Sequence, residues 1–148
     1  TFGFVFQQFF LTGSTSVLDN VILPLKIAGV SRSERSRRGR AALEQLELGD
    51  KAKNKALNLS GGQKQRAVIA RALVNNPRII FADEPTGALD SATAVEVMSI
   101  LLSATTGRGR TLVVVTHDED VARRCQRILR LQDGRIVSDE MRHSDGRW

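Results

Sequence analysis

Two stretches of the chain hold residue types that can act on a phosphate. In the first, Ser60, Gly61, Gly62 and Gln63 open a segment of helical character that runs on to Val74. Serine is a preferred N-cap, and the first turn of a helix carries unpaired N–H donors at the positive end of its dipole. Two glycines there remove the side chains that would keep an anion at a distance. In the second stretch, Asp83 and Glu84 follow the apolar run Ile79 to Ala82 and precede Pro85-Thr86-Gly87. That pattern presents two carboxylates at the carboxyl end of a strand, where α/β folds place their ligands. Adjacent carboxylates raise each other's pKa, and a bound Mg²⁺, a hard cation that takes oxygen ligands, offsets that repulsion. The plain alternatives are a flexible loop before a helix and a surface acidic pair.

Two further polar sites sit at strand ends. Thr1 to Phe6 alternates like a strand and ends at Gln7 and Gln8, which are otherwise ordinary surface amides. Thr111 to Thr116 is β-branched and strand-like, and His117 stands at its tip, an ordinary polar position unless its neighbours give it a role.

The elements that must position these groups follow from the pattern between them. Thr12 to Ser16 reads as a turn, and Val17 to Val30 as a short helix, a break at Pro24 and a second apolar segment. Ser31 to Arg40 is charged, and Ala41 to Leu48 spaces its leucines as a helix that Gly49 stops. Val68 with Ala72 and Ile69 with Leu73 make packing faces on the helix after Ser60, which Asn75, Asn76 and Pro77 end. Asp90 can N-cap a helix from Ser91 to Leu102 that packs through Val95, Met98 and Leu102. The strands Ile79 to Ala82 and Thr111 to Thr116 read as buried on both faces. A short helix around Val121 to Cys125 precedes a hairpin, Ile128 to Leu131 and Arg135 to Val137, turned by Asp133-Gly134.

Composition narrows the class. The 148 residues are 41% apolar and 26% charged, ordinary for a globular domain, and no run of about 18 apolar residues predicts a membrane span. No signal-peptide pattern is present at Thr1. The single cysteine, Cys125, excludes an internal disulfide framework, suits a reducing compartment and reads as a small apolar helix residue. A net charge of +6 attracts phosphates, nucleic acid or an anionic membrane face. The arginines at 32, 35, 37, 38 and 40 have no interleaved aromatics and read as a solvated helix face, so no nucleic acid is expected.

Together the motifs resemble those of ATP-binding-cassette (ABC) ATPases. Leu-Ser-Gly-Gly-Gln-Lys-Gln-Arg, from Leu59 to Arg66, resembles their signature motif; Ile79 to Glu84 resembles a Walker B strand; Ala88-Leu89-Asp90 resembles the D-loop; His117 resembles the H-loop histidine; and Phe6-Gln7 resembles the opening of the Q-loop. The resemblance implies ATP and Mg²⁺ as ligands. It assigns Asp83 and Gln7 to the metal, Glu84 to the general base, and His117 to the γ-phosphate. Ser60 to Gln63 and Asp90 would reach the nucleotide across a dimer of two nucleotide-binding subunits. It further implies a transmembrane permease as partner and a place at the inner, cytoplasmic face of the cell membrane. The segments Gly-Phe-Val-Phe-Gln-Gln and Asp-Glu-Pro-Thr-Gly-Ala-Leu-Asp look closest to the lipoprotein-releasing and macrolide-export group. Ala88, and a lead-in to the signature without Tyr-Pro, depart from the usual pattern.

The expected fold class is therefore α/β: a partial P-loop NTPase core with a mostly parallel sheet plus a helical subdomain. Residues 1–16 would be the Q-loop strand and loop of the core, 17–76 the helical subdomain with the signature, 77–138 the core with Walker B, D-loop and H-loop, and 139–148 a polar tail. No Gly-Lys dipeptide occurs, so the phosphate-cradling Walker A loop is not found, and the chain is expected to be a fragment with little activity alone. Two rivals stand beside a transport ATPase. A DNA-acting ATPase of similar head architecture is disfavoured by the continuous spacing from Gln7 to the signature; for a degenerate or truncated module lending only its signature loop, intact Glu84 and His117 argue against degeneration, while a natural truncation fits the sequence equally well.

Overall fold

Three parallel strands set the level at which the acidic pair emerges. The computed structural model describes residues 2–148, and Thr1, from which the first strand is expected, lies outside the described residues. Strands β1 (Phe2–Phe6), β2 (Ile79–Asp83) and β3 (Thr111–Val115) pair in the order β1-β2-β3. The register aligns Phe6 with Asp83 and Asp83 with Val115, so all three strands end together. Parallel strands need crossover connections. Between β1 and β2 the crossover carries α1 (Val17–Ile27), α2 (Arg32–Gln45) and α3 (Gly61–Leu73); between β2 and β3 it is α4 (Ser91–Thr105). The chain divides into two units, 1–115 and 116–148. The second holds α5 (Glu119–Ala122) and an antiparallel hairpin, β4 (Arg127–Gln132) with β5 (Arg135–Met141). Strand β5 thus takes up residues 139–141 of the expected polar tail.

The sheet buries one face rather than two. Val5, Ile80 and Ala82 are fully enclosed, whereas Phe2, Phe4, Phe6 and Phe81 are exposed on the other side. There the rings cluster: Phe4 stacks on Phe81 at 5.7 Å between centroids and on Phe6 at 6.1 Å. An apolar run in a strand reports hydrophobicity on both faces but not what covers each.

The helical crossover has its own core of Val17, Val21, Leu25, Leu43, Leu46, Leu48, Val68 and Ile69. The expected break at Pro24 does not occur: α1 continues through it to Ile27. Val21 and Leu25, both wholly buried, hold the helix on either side, and that burial outweighs the one backbone bond proline cannot make. Nor does Gly49 stop α2. The helix turns at Glu47, whose φ is +59°, with Leu48 N–H donating to Leu43 O at 2.8 Å and Glu47 N–H to Glu44 O at 3.0 Å. This is the Schellman pattern, and it places Leu48 in the core, which offsets the left-handed backbone at Glu47. In α4 the buried residues are Val97, Met98, Leu101, Ala104 and Thr105; of those expected inside, Val95 is exposed and Leu102 half-buried.

The arginine-rich helix is largely engaged by its own chain. Arg37 pairs with Glu34, Arg38 donates to Val74 O at 3.0 Å, and Arg35 donates to Val30 O at 2.9 Å. The pairing with Arg37 holds the Glu34 carboxyl below its ordinary pKa.

Candidate functional site

At the common end of the strands the chain brings together Gln7, Asp83 and Glu84. Asp83 is exposed, and Glu84 follows with φ +46°, a left-handed backbone that a non-glycine residue rarely adopts. Its surroundings fix that conformation. Glu84 N–H donates to Val115 O at 2.8 Å, continuing the sheet by one bond, and Gly87 N–H closes a turn onto Glu84 O at 3.1 Å. Backbone strain of this kind persists only where neighbours over-determine it, and it concentrates at functional sites. Gln7 lies over the same turn: a Cβ placed on Gly87 would stand 2.9 Å from Gln7 Cδ, so only glycine lets that amide lie against the loop.

A second group forms at the start of α3. Ser60 is the N-cap, accepting from Gln63 N–H at 3.2 Å, while Gln63 Oε1 accepts from Ser60 N–H at 2.9 Å. This reciprocal capping box occupies Ser60 and Gln63 and leaves the first-turn N–H groups of Gly61 and Gly62 without intrahelical acceptors. The two glycines differ in purpose. Gly61 is exposed, and a Cβ there would meet only Leu89 Cδ2, at an ordinary 3.5 Å. Gly62 is buried, and a Cβ there would lie 2.5 Å from Thr93 Cγ2. Thr93 cannot easily swing away, because its hydroxyl donates to Asp90 Oδ2 at 2.8 Å. Gly62→Ala is therefore expected to destabilise the fold by roughly 1–3 kcal/mol, the usual range for overpacking. Gly61→Ala should leave stability within about 0.5 kcal/mol, as surface changes do. Urea unfolding of the two variants checks both.

Asp90 N-caps α4, accepting from Thr93 N–H at 3.0 Å. His117 lies in the second unit, two residues beyond β3 in the chain. Among the described residues no group of three His, Cys, Asp or Glu side chains is placed to hold a metal, and no helix is long and apolar enough to cross a membrane.

The family profile described as ABC transporter matches residues 1–87. The chain belongs to the ABC transporter family. It is 50% identical over 142 residues to the macrolide export ATP-binding/permease protein MacB of Rhodospirillum rubrum, covering 96% of this chain and 22% of that protein. It is 51% identical over 138 residues to the pyoverdine export ATP-binding/permease protein PvdT of Pseudomonas aeruginosa, covering 93% of this chain and 21% of that protein. The chain thus spans about a fifth of the length of the curated relatives it matches. Among solved structures, a dimeric ATP-binding cassette in a post-hydrolysis state bound to ADP and Pi superposes with TM-score 0.80 at 47% identity, over 95% of this chain and 62% of that one. The fold is that of an ABC ATPase cassette, mixed α/β with a parallel sheet and helices.

Within the ABC cassette two residues of this site were not singled out by their sequence. Gln65 and Arg71 lie on α3 and reach the end of β1 and the segment after it: Gln65 Nε2 donates to Phe6 O, in the last residue of β1, and Arg71 donates to Phe9 O at 3.2 Å and Phe10 O at 2.9 Å beyond it. Gln65 shares the apolar stripe of Val68, Ile69 and Ala72, and an amide on such a stripe is the signal that could have found it. Burial pushes the Arg71 guanidinium below its ordinary pKa.

The Asp90 cap also makes the fold sensitive to acid. Hydrogen bonds from the Thr93 amide and hydroxyl hold the Asp90 carboxyl below its ordinary pKa. A depressed folded-state pKa contributes stability that is present above the unfolded value, about 3.9, and is lost as pH falls through the folded value. The stability difference between the unsubstituted protein and Asp90→Ala should therefore stay constant from neutral pH to about 5 and narrow below about 4. Thermal unfolding across that range measures it.

Proposed function

We propose that this chain is part of an ATP-hydrolysing subunit that powers export through a membrane permease. The observation that carries the reading is the alignment of Gln7, Asp83 and Glu84 at the ends of adjacent parallel strands, in a chain half identical to export ATP-binding/permease proteins. In this reading Glu84 is the general base that takes a proton from the attacking water, and His117 steadies the γ-phosphate. Ser60 to Gln63, with the open N–H groups of Gly61 and Gly62, meet the phosphates of ATP held by a second subunit, and Asp90 lies at that junction.

The residues present suit Mg²⁺ rather than a metal that needs a full protein cage. One exposed carboxylate, Asp83, and the Gln7 side-chain oxygen leave the other positions to water and phosphate oxygens, as Mg²⁺ prefers. Asp83 and Gln7 would hold the ion, whose charge offsets that of the phosphates. The reading also requires a Gly-Lys-Ser/Thr phosphate loop elsewhere in the protein, since these residues hold none. Residues 17–76 serve as the helical subdomain and 1–16 with 77–138 as core, at the inner face of the membrane and beside the permease.

The test is phosphate release from ATP by the protein that carries this chain, with and without Mg²⁺. Turnover that depends on Mg²⁺ and ceases with a chelator supports the reading. Absence of ATP binding and of turnover in that protein would overturn it.

A further inference from the structure

The β1–β2 ladder ends at Phe6 and Asp83, one residue short of each group assigned to the chemistry, Gln7 and Glu84. The ladder itself does not set the separation of those two residues. We propose that Gln65 is a positioning residue: its buried side-chain amide clamps the backbone beside Gln7 and beside Glu84, acting as the rung the ladder lacks. The inference rests on the ATPase reading above.

Three features of Gln65 support this. It is fully enclosed, and its Nε2 donates to Phe6 O at 3.2 Å and to Pro85 O, so one amide nitrogen ties the residue before Gln7 to the residue after Glu84. The amide orientation is dictated by those partners, since the reverse would set its oxygen against two carbonyl oxygens. Its own Oε1 is buried without a hydrogen-bond partner. An unsatisfied buried acceptor is destabilising, and an apolar residue of similar volume at this position would avoid it. Its neighbours on α3, Val68 and Ile69, are indeed apolar and wholly buried. The amide's two donated bonds are thus what the position gains in return for an unsatisfied oxygen.

The clamp acts beside Glu84 at φ +46°, where small backbone shifts redirect its carboxylate, and adds to the bonds this residue makes with Val115 and Gly87. A misplacement of about 1 Å in a reacting group can cut a rate by about 10²-fold. In that reading ATP binding depends mostly on the phosphate loop carried elsewhere in the protein. A positioning role therefore predicts a loss in kcat without a matching change in KM.

The experiment compares Gln65→Met, which keeps length and volume but removes both donors, with Ile69→Val, a buried change on the same helix with no polar contact. Both are measured in the protein that carries this chain, by steady-state ATP turnover and thermal unfolding. The expected result is a kcat lower by about 10²-fold for Gln65→Met with KM within about threefold, and kcat within about twofold for Ile69→Val despite a lower Tm. Gln65→Glu, which turns an oxygen toward both carbonyls, should be at least as impaired. A kcat for Gln65→Met within about threefold of the unsubstituted protein overturns the proposal, and so does a fall shared by Ile69→Val. Through-hydrogen-bond NMR couplings from Gln65 Nε2 to the Phe6 and Pro85 carbonyl carbons test the clamp independently of turnover, and their absence also overturns it. No turnover in the unsubstituted protein, with those couplings present, rejects the ATPase reading and the positioning role but identifies the clamp as structural.

Discussion

Glu84→Gln in the protein that carries this chain is expected to lower ATP turnover by about 10²- to 10⁴-fold, the usual worth of a positioned general base. The amide matches the carboxylate in shape. It leaves intact the bonds that fix this residue, from its N–H to Val115 O and from Gly87 N–H to its own carbonyl, because both are made by the backbone. The left-handed turn at residue 84 should survive, and ATP affinity with it. What is lost is the capacity to accept a proton from water. Phosphate release under saturating ATP, beside equilibrium binding of ATP, separates the two effects. Turnover within tenfold of the unsubstituted protein would remove Glu84 from the role of base and direct attention to the neighbouring Asp83.

The acidic pair, the capped helix start at Ser60 and the Asp90 cap were legible because each is local: a few consecutive residues carry both the geometry and the chemistry. The features that escaped depend on partners far away in the chain. Pro24 reads as a break until Val21 and Leu25 are seen to be buried on both sides of it. Glu47, not Gly49, ends α2 because the chain needs Leu48 in the core one position later. Val95 and Val97 are equally apolar, and the packing of α4 against α3 and β3 decides which faces inward. Gln63 and Gln65 stand two residues apart in one motif, yet one caps its own helix while the other binds the carbonyl of the last residue of β1 and that of Pro85 in the turn after β2. Nothing in residue type distinguishes them; helical phase does, since only Gln65 falls on the buried stripe.

The largest effect at the signature is expected from Gly61→Glu, and it can also reveal which subunit the signature serves. Gly61 is exposed, and a Cβ there meets nothing closer than Leu89 Cδ2 at 3.5 Å. An acidic residue in the first turn suits the helix dipole, so the fold should hold. The same charge repels a phosphate at the helix start, and turnover should fall by about 10²- to 10³-fold, as when an anion-stabilising donor is removed. Mixing Gly61→Glu with Glu84→Gln then discriminates two arrangements. If each site combines Glu84 of one subunit with Gly61 of the other, a symmetric pair containing one of each variant holds one intact site and one doubly impaired site. Equal mixing places half the chains' pairings in that state, so about a quarter of the original turnover should return if sites act independently. If Gly61 serves the Glu84 of its own chain, every site in the mixture carries a lesion and no turnover returns. Recovery on mixing would therefore establish a head-to-tail pairing of signature and acidic strand end, a relation that no single chain can display.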